Sequence, residues 1–138
     1  MAFATKQELL AIEDVSAYEQ VINIDIELQR SESAIIRLLN TIWWQKFIQN
    51  NPQFTPGALD PSLLVRTEWT RPVIYYALAY NILPKLARDY TQEIGDYHHR
   101  WEYEIRTLQH FGISYDIELT TLRFVPETET FNYTRLRK

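Results

Sequence analysis

The sequence contains no cysteine. That excludes disulfides, thiolate nucleophiles and cysteine-ligated zinc or iron–sulfur centres, and it leaves the redox compartment open. Glycine occurs at three positions, Gly57, Gly95 and Gly112, and no glycine-rich phosphate loop, GxSxG elbow or cysteine–histidine pair is present. No apolar run approaches the ~18 residues a membrane span requires, so no membrane partner is expected. A basic excess is missing too. The formal net charge is −4 and the sequence pI about 5.4, so no global field draws in nucleic acid. The opening Met1–Leu10 lacks a basic region followed by a long apolar one, so a signal peptide is not expected and synthesis in a cytoplasm is.

Aromatic side chains are what the chain has in quantity. Four Trp, nine Tyr and six Phe make 14% of 138 residues, enough rigid contact area for a core and an interface together. The length fits one domain of ordinary composition, expected as a helical part over residues 1–112 and a β-type arm over residues 113–138.

Periodicity divides the helical part. Thr5 followed by Glu8 forms a capping-box pattern that starts a short helix to about Ala11, with a turn and bend through Ile12–Asn23. From Ile24 to about Gln49, steps of four and three through Ile24, Leu28, Ser31, Ile35, Leu38 and Ile42 draw one stripe along a second helix. Turn-forming residues stop it over Asn50–Asp60. Asp60-Pro61 opens a third helix, which Pro72 is expected to interrupt or restart. Val73, Ala77, Tyr80, Leu83 and Ala87 fall on one side of the next run, with a kink or break expected at Pro84. Thr91 and Glu93 start the last helix, whose stripe is Ile94, Tyr97, Trp101, Ile105 and Leu108, flanked by the ion pairs Asp96–Arg100 and Glu102–Arg106.

After Gly112 the period changes to two. Tyr115, Ile117 and Leu119 read as a half-buried strand, Leu122 and Phe124 as its continuation on the other parity, and Phe131 and Tyr133 as one more short strand. The expected class is therefore mainly α: a small bundle of about four helices with a short C-terminal β-hairpin or extended strand tail.

On a wheel of roughly 100° per residue, Trp44 points about 180° away from the Ile35, Leu38 and Ile42 stripe. Phe47 and Ile48 are also off it, and adjacent Trp43 and Trp44 cannot share one narrow seam. Such a cluster needs a second cover, either residues 52–59 and the C-terminal strands of the same chain or a neighbouring subunit. The last helix repeats this more mildly, with Tyr103 opposite Trp101. The aromatic load favours the subunit, so Trp44, Phe47, Ile48 and Tyr103 are candidate interface residues.

Candidate chemistry is sparse. His98 and Glu102 lie four apart on one helix face, but the third and fourth ligands of a metal site are missing, because His110 falls nearer His99. No metal, cofactor or catalytic constellation is expected, and so no enzyme. Arg66 and Arg71 flank Trp69, where pairing with Glu68 or a neighbouring chain fits the acidic balance better than a nucleic-acid platform does. The local basic run Arg135, Leu136, Arg137 and Lys138 follows the last strand. It is either a solvated end or an arm that docks on an acidic surface.

The order of elements resembles the head–tail connector (adaptor) proteins of tailed bacteriophages. The stretches that carry the likeness are Glu8-Leu-Leu-Ala-Ile-Glu-Asp-Val15, Arg71-Pro-Val-Ile-Tyr-Tyr-Ala-Leu-Ala-Tyr80, and the tail from Tyr115-Asp116 to Arg135-Leu-Arg137. Similar proteins often have an Asp/Gly-rich turn in that tail, whereas Ile117–Phe131 here has no glycine. The resemblance implies a closed, twelvefold homo-oligomeric ring in the virion neck, assembled in the host cytoplasm. The portal protein would lie above it and a tail terminator, stopper or tail-tube protein below, with DNA passing through without sequence-specific binding. Phe131, Tyr133, Arg135, Leu136, Arg137 and Lys138 would then form the portal-binding arm. The acidic net charge of the protein agrees with unhindered DNA transit. The alternatives are a stopper or tail-completion protein of the same neck, and a small helical regulatory or nucleic-acid-binding module.

Overall fold

The structure, a computed structural model, describes residues 2–50, 59–111, 113–117 and 120–124; side chains 42, 46, 47, 50, 109–111 and those of 114–117 and 120–124 lie outside that description. The protein is mainly helical, 77%, in four helices, which settles the class. The helical segments are α1 (Lys6–Ile12), α2 (Ile24–Leu38), α3 (Gln45–Asn50), α4 (Arg66–Tyr76) and α5 (Thr91–Phe111). A π-helical segment, Leu39–Trp44, joins α2 to α3 without a break, so the two count as one helix. A second, Ala77–Ile82, extends α4. The chain forms two compact units that do not follow chain order, residues 1–35 with 66–104 and residues 36–65 with 105–138.

In the first unit, α1 begins as the sequence predicts. The Thr5 hydroxyl accepts from the Glu8 amide at 3.2 Å, and the Glu8 carboxylate accepts from the Thr5 amide at 2.9 Å. The residues before it are tied down from three sides. Phe3 is buried 6.4 Å from the Trp69 ring, and its amide donates to Glu32 at 2.8 Å. Its carbonyl accepts from the Thr70 hydroxyl at 2.7 Å. Arg66 reaches the Ala2 carbonyl at 3.0 Å and Glu8 at 2.8 Å.

The α2 stripe buries Ile24, Leu28, Ser31 and Ile35 as expected, but Leu38 is 37% exposed and Leu39 buried in its place. Pro72 does not interrupt α4. The helix runs through it, because Trp69, Pro72, Val73 and Ile74 are all buried, and packing of that kind offsets the ~3 kcal/mol an interior proline costs. Pro84 acts as expected. The helix widens before it, the Leu83 amide reaching back five residues to Leu78, and then tightens into a 3₁₀ turn, Leu83–Lys85. Proline has no donor for the carbonyl four residues back and its ring crowds that carbonyl, which the wider turn accommodates. Tyr80 and Ala87 leave the expected stripe and face solvent, while Leu78 and Ile82 take the core. On α5, Tyr97 and Trp101 are buried. The expected Asp96–Arg100 pair is not among the ion pairs of the described residues; Arg100 lies instead over the Tyr75 and Tyr97 rings, at 5.8 and 5.3 Å.

In the second unit, Leu39, Trp43, Trp44, Leu59, Leu64 and Ile113 are buried. Asp60 caps the turn Pro61–Leu63, accepting from the Ser62 amide at 3.0 Å; the cap-proline pattern thus starts a 3₁₀ turn, and α4 itself begins at Arg66. Two strands, β1 (Ile113–Ile117) and β2 (Thr120–Phe124), pair antiparallel with Ile113 opposite Phe124 and Ile117 opposite Thr120. Residues 125–138, including the expected last strand and basic end, lie outside the described residues.

Candidate functional site

The structure describes only some of the residues singled out in the sequence. Trp44 is buried, only 4% exposed, its ring 6.0 Å from that of the equally buried Trp43. Trp44 is therefore covered within its own chain, one of the two covers that the sequence left open. A wheel of constant 100° per residue holds only for an unbroken α-helix. The widened turn Leu39–Trp44 holds one residue more per turn, which by its end turns the helix back by roughly 100°, so Trp44 no longer stands opposite the stripe. Three side chains serve the widened turn's backbone. Asn40 donates to the Ile36 carbonyl at 3.2 Å, Thr41 to the Arg37 carbonyl at 2.8 Å, and Gln45 to the Asn40 carbonyl at 3.4 Å. Such bonds cover carbonyls that a shift from four- to five-residue spacing leaves short of amide donors. The polar run Asn40-Thr41 ahead of Trp43-Trp44 was the sequence signal for this.

Ile48 is half-buried, and the Phe47 side chain lies outside the described residues, as does the arm Phe131–Lys138. Tyr103 is 69% exposed. The structure adds a surface that the helical wheel did not identify. Tyr76 and Tyr80 pack with tilted rings at 4.6 Å, Tyr76 meets Trp101 edge-on at 5.0 Å, and Tyr80 meets His98 edge-on at 5.4 Å. Beside them Tyr75 stacks on Tyr97 at 6.0 Å under Arg100. Tyr80 is 43% exposed, so this aromatic band reaches solvent. Burial, then Tyr76 and the Glu102 charge, push the Tyr80 hydroxyl above the ordinary tyrosine range. The Tyr97 hydroxyl is pushed further in the same direction by burial and by donating to Glu13 at 2.7 Å.

His98 and Glu102 face each other at 3.7 Å, but among the described residues no group of three ligands that could hold a metal ion occurs. Both arginines beside Trp69 have carboxylate partners. Arg66 is committed to Glu8, which it holds below the ordinary glutamate range, and Arg71 to Glu104 at 3.5 Å. Among the described residues no helix is long and apolar enough to cross a membrane. A half-open groove of about 340 Å³ runs between Ala2, Ala4 and the Asp25, Ile26 and Glu32 side of α2, with no catalytic grouping on its walls.

Two polar pairs link α2 to the segment that follows α4 inside the first unit. Glu27, 5% exposed on α2, accepts from Lys85 at 2.7 Å and from Arg30 at 3.4 Å through the same oxygen, Oε2. One turn on, the buried Ser31 hydroxyl accepts from Asn81 at 2.7 Å and donates to the Glu27 carbonyl at 2.8 Å.

Comparison with known proteins gives no assignment: no family model, no curated protein and no solved structure matches the chain.

Proposed function

We propose that the chain is a non-enzymatic structural protein of a tailed-bacteriophage neck, one subunit of a ring adaptor that joins the portal to the tail and lets DNA pass. The mainly helical class and the likeness of residues 8–15, 71–80 and 115–137 to head–tail connector proteins support this reading. Trp44 no longer contributes to it. The observation that carries the oligomeric part is the aromatic band, because the stretch Arg71–Tyr80 that bears the likeness is also the one that presents Tyr80 at the surface beside the half-buried Tyr76. Rigid tyrosines with accessible rings are the chemistry enriched at protein interfaces. A ring built by one repeated contact needs two different patches per subunit, and the C-terminal arm is the second.

The test mixes the full chain, or a form ending at residue 130, with purified portal particles under negative-stain imaging. The full chain is expected to add a ring-shaped layer, and the shortened form is not. A chain that stays monomeric beside the portal and instead binds DNA in a salt-dependent way would replace this reading with the small helical regulatory module.

A further inference from the structure

α2 and the segment that ends α4 run antiparallel past each other. Glu27 meets Lys85 and Ser31 meets Asn81, so each partner advances by four residues in opposite directions. The apolar residues between these helices do not define one alignment. Ile74, Leu78 and Ile82 recur every four residues and all are buried, as are Val73, Ala77, Ala79 and Leu83 around them. Sliding the segment by one turn would place Leu78 where Ile82 packs and Ile74 where Leu78 packs, with similar apolar contact. Hydrophobic burial is non-directional and cannot choose between such alignments.

The polar rungs can choose. A one-turn slide would set Ser31 against Ala77 and Glu27 against Asn81, so the buried hydroxyl would lose its donor and the buried carboxylate would face a neutral amide in place of the Lys85 ammonium. A charge at this depth is otherwise a poor investment in stability, since desolvation consumes most of the attraction. One oxygen of Glu27, Oε1, is sealed from solvent with no partner among the described residues, so the rung is not optimised for strength.

We infer that the paired rungs Ser31–Asn81 and Glu27–Lys85 form a register lock that selects one of several equally greasy helix alignments. The lock thereby fixes which tyrosines face outward. Tyr80 is the neighbour of Asn81, and its place in the aromatic band follows from Asn81 lying on Ser31. The inference does not depend on the neck assignment.

The test uses the full chain with Glu27→Leu and Lys85→Leu together, followed through the indole N–H resonances of its tryptophans. The lock predicts a folded protein in which a second set of Trp69 and Trp101 signals appears, roughly a tenth of the total or more, in slow exchange with the first. Lys85→Arg, which keeps the charge pair, retains one set. A single set at unchanged positions in the double-leucine variant would overturn the inference. So would its unfolding, since the pair would then hold the fold together and not choose its alignment. Doubled signals in Lys85→Arg would also count against it.

Discussion

Among the described residues the helix widens at two places, and the two arrive there by different causes. Ala77–Ile82 stands before a proline, whose missing donor and crowding ring would break a regular turn. Leu39–Trp44 has no proline near it and continues as helix on the far side. There the cause is a demand of the core: two adjacent indoles must both leave water, and Asn40, Thr41 and Gln45 supply the donors that make the wider turn tolerable. One widening is imposed by backbone chemistry and the other by side-chain burial. The same shape in a helix can therefore have a cause visible at one residue or a cause spread over six.

The sharpest way to break this comparison is Trp44→Ala. On a regular helix Trp44 would be a surface residue and the change near neutral. With both indoles inside, it is expected to cost about 3–5 kcal/mol in urea unfolding, comparable to Trp43→Ala. A loss below about 1 kcal/mol, the size of ordinary surface changes, would refute the burial argument.

Next comes Asn40→Leu. The Asn40 side-chain oxygen Oδ1 accepts from the Leu59 amide at 2.8 Å while its side-chain nitrogen donates to the Ile36 carbonyl. Removing both should cost about 1–3 kcal/mol and release protection of the Leu59 amide in hydrogen exchange.

Pro84→Ala should move the other way. It restores a donor, so the Leu83 amide can leave Leu78 and the segment can return to regular spacing, with a net stability change within about 1 kcal/mol. Its signature is a change in amide exchange and backbone shifts confined to residues 77–85. If those residues keep five-residue spacing, proline is not the cause of the second widening.

The smallest effect comes from pH. Tyr80 lies in the second widened segment, and its folded-state pKa is raised, chiefly by burial. A raised pKa means stability fully present below the ordinary tyrosine range, about 10, and lost as pH rises through the folded value. Phenolate absorbance of the wild type minus that of Tyr80→Phe should therefore titrate above that range. The first widened segment contains no tyrosine and should show no such dependence.

The elements that sequence reading placed well are those whose cause is local. The Thr5–Glu8 box, the Asp60 cap, the proline-driven change at Pro84 and the stripe from Ile24 to Ile35 each follow from a few neighbouring residues. Errors begin where a constant helical phase was assumed. Leu38 gave way to Leu39, and Trp44 turned inward, within six residues of each other. Pro72 was misjudged for a related reason, since local chemistry argued for a break that the packing around Trp69 overrides. The aromatic band of Tyr76, Tyr80, His98 and Trp101 was not legible at all. It joins two elements some twenty residues apart in sequence, and no periodicity within either one reports their meeting.

All four tryptophans are buried, and Trp69 most completely, with its indole N–H meeting no acceptor among the described residues. An indole in so dry and nonpolar a setting emits at the blue end of its range. Once water reaches it, the colour shifts red. The protein thus contains its own optical gauge of whether its interior is closed, readable in dilute solution with no label attached.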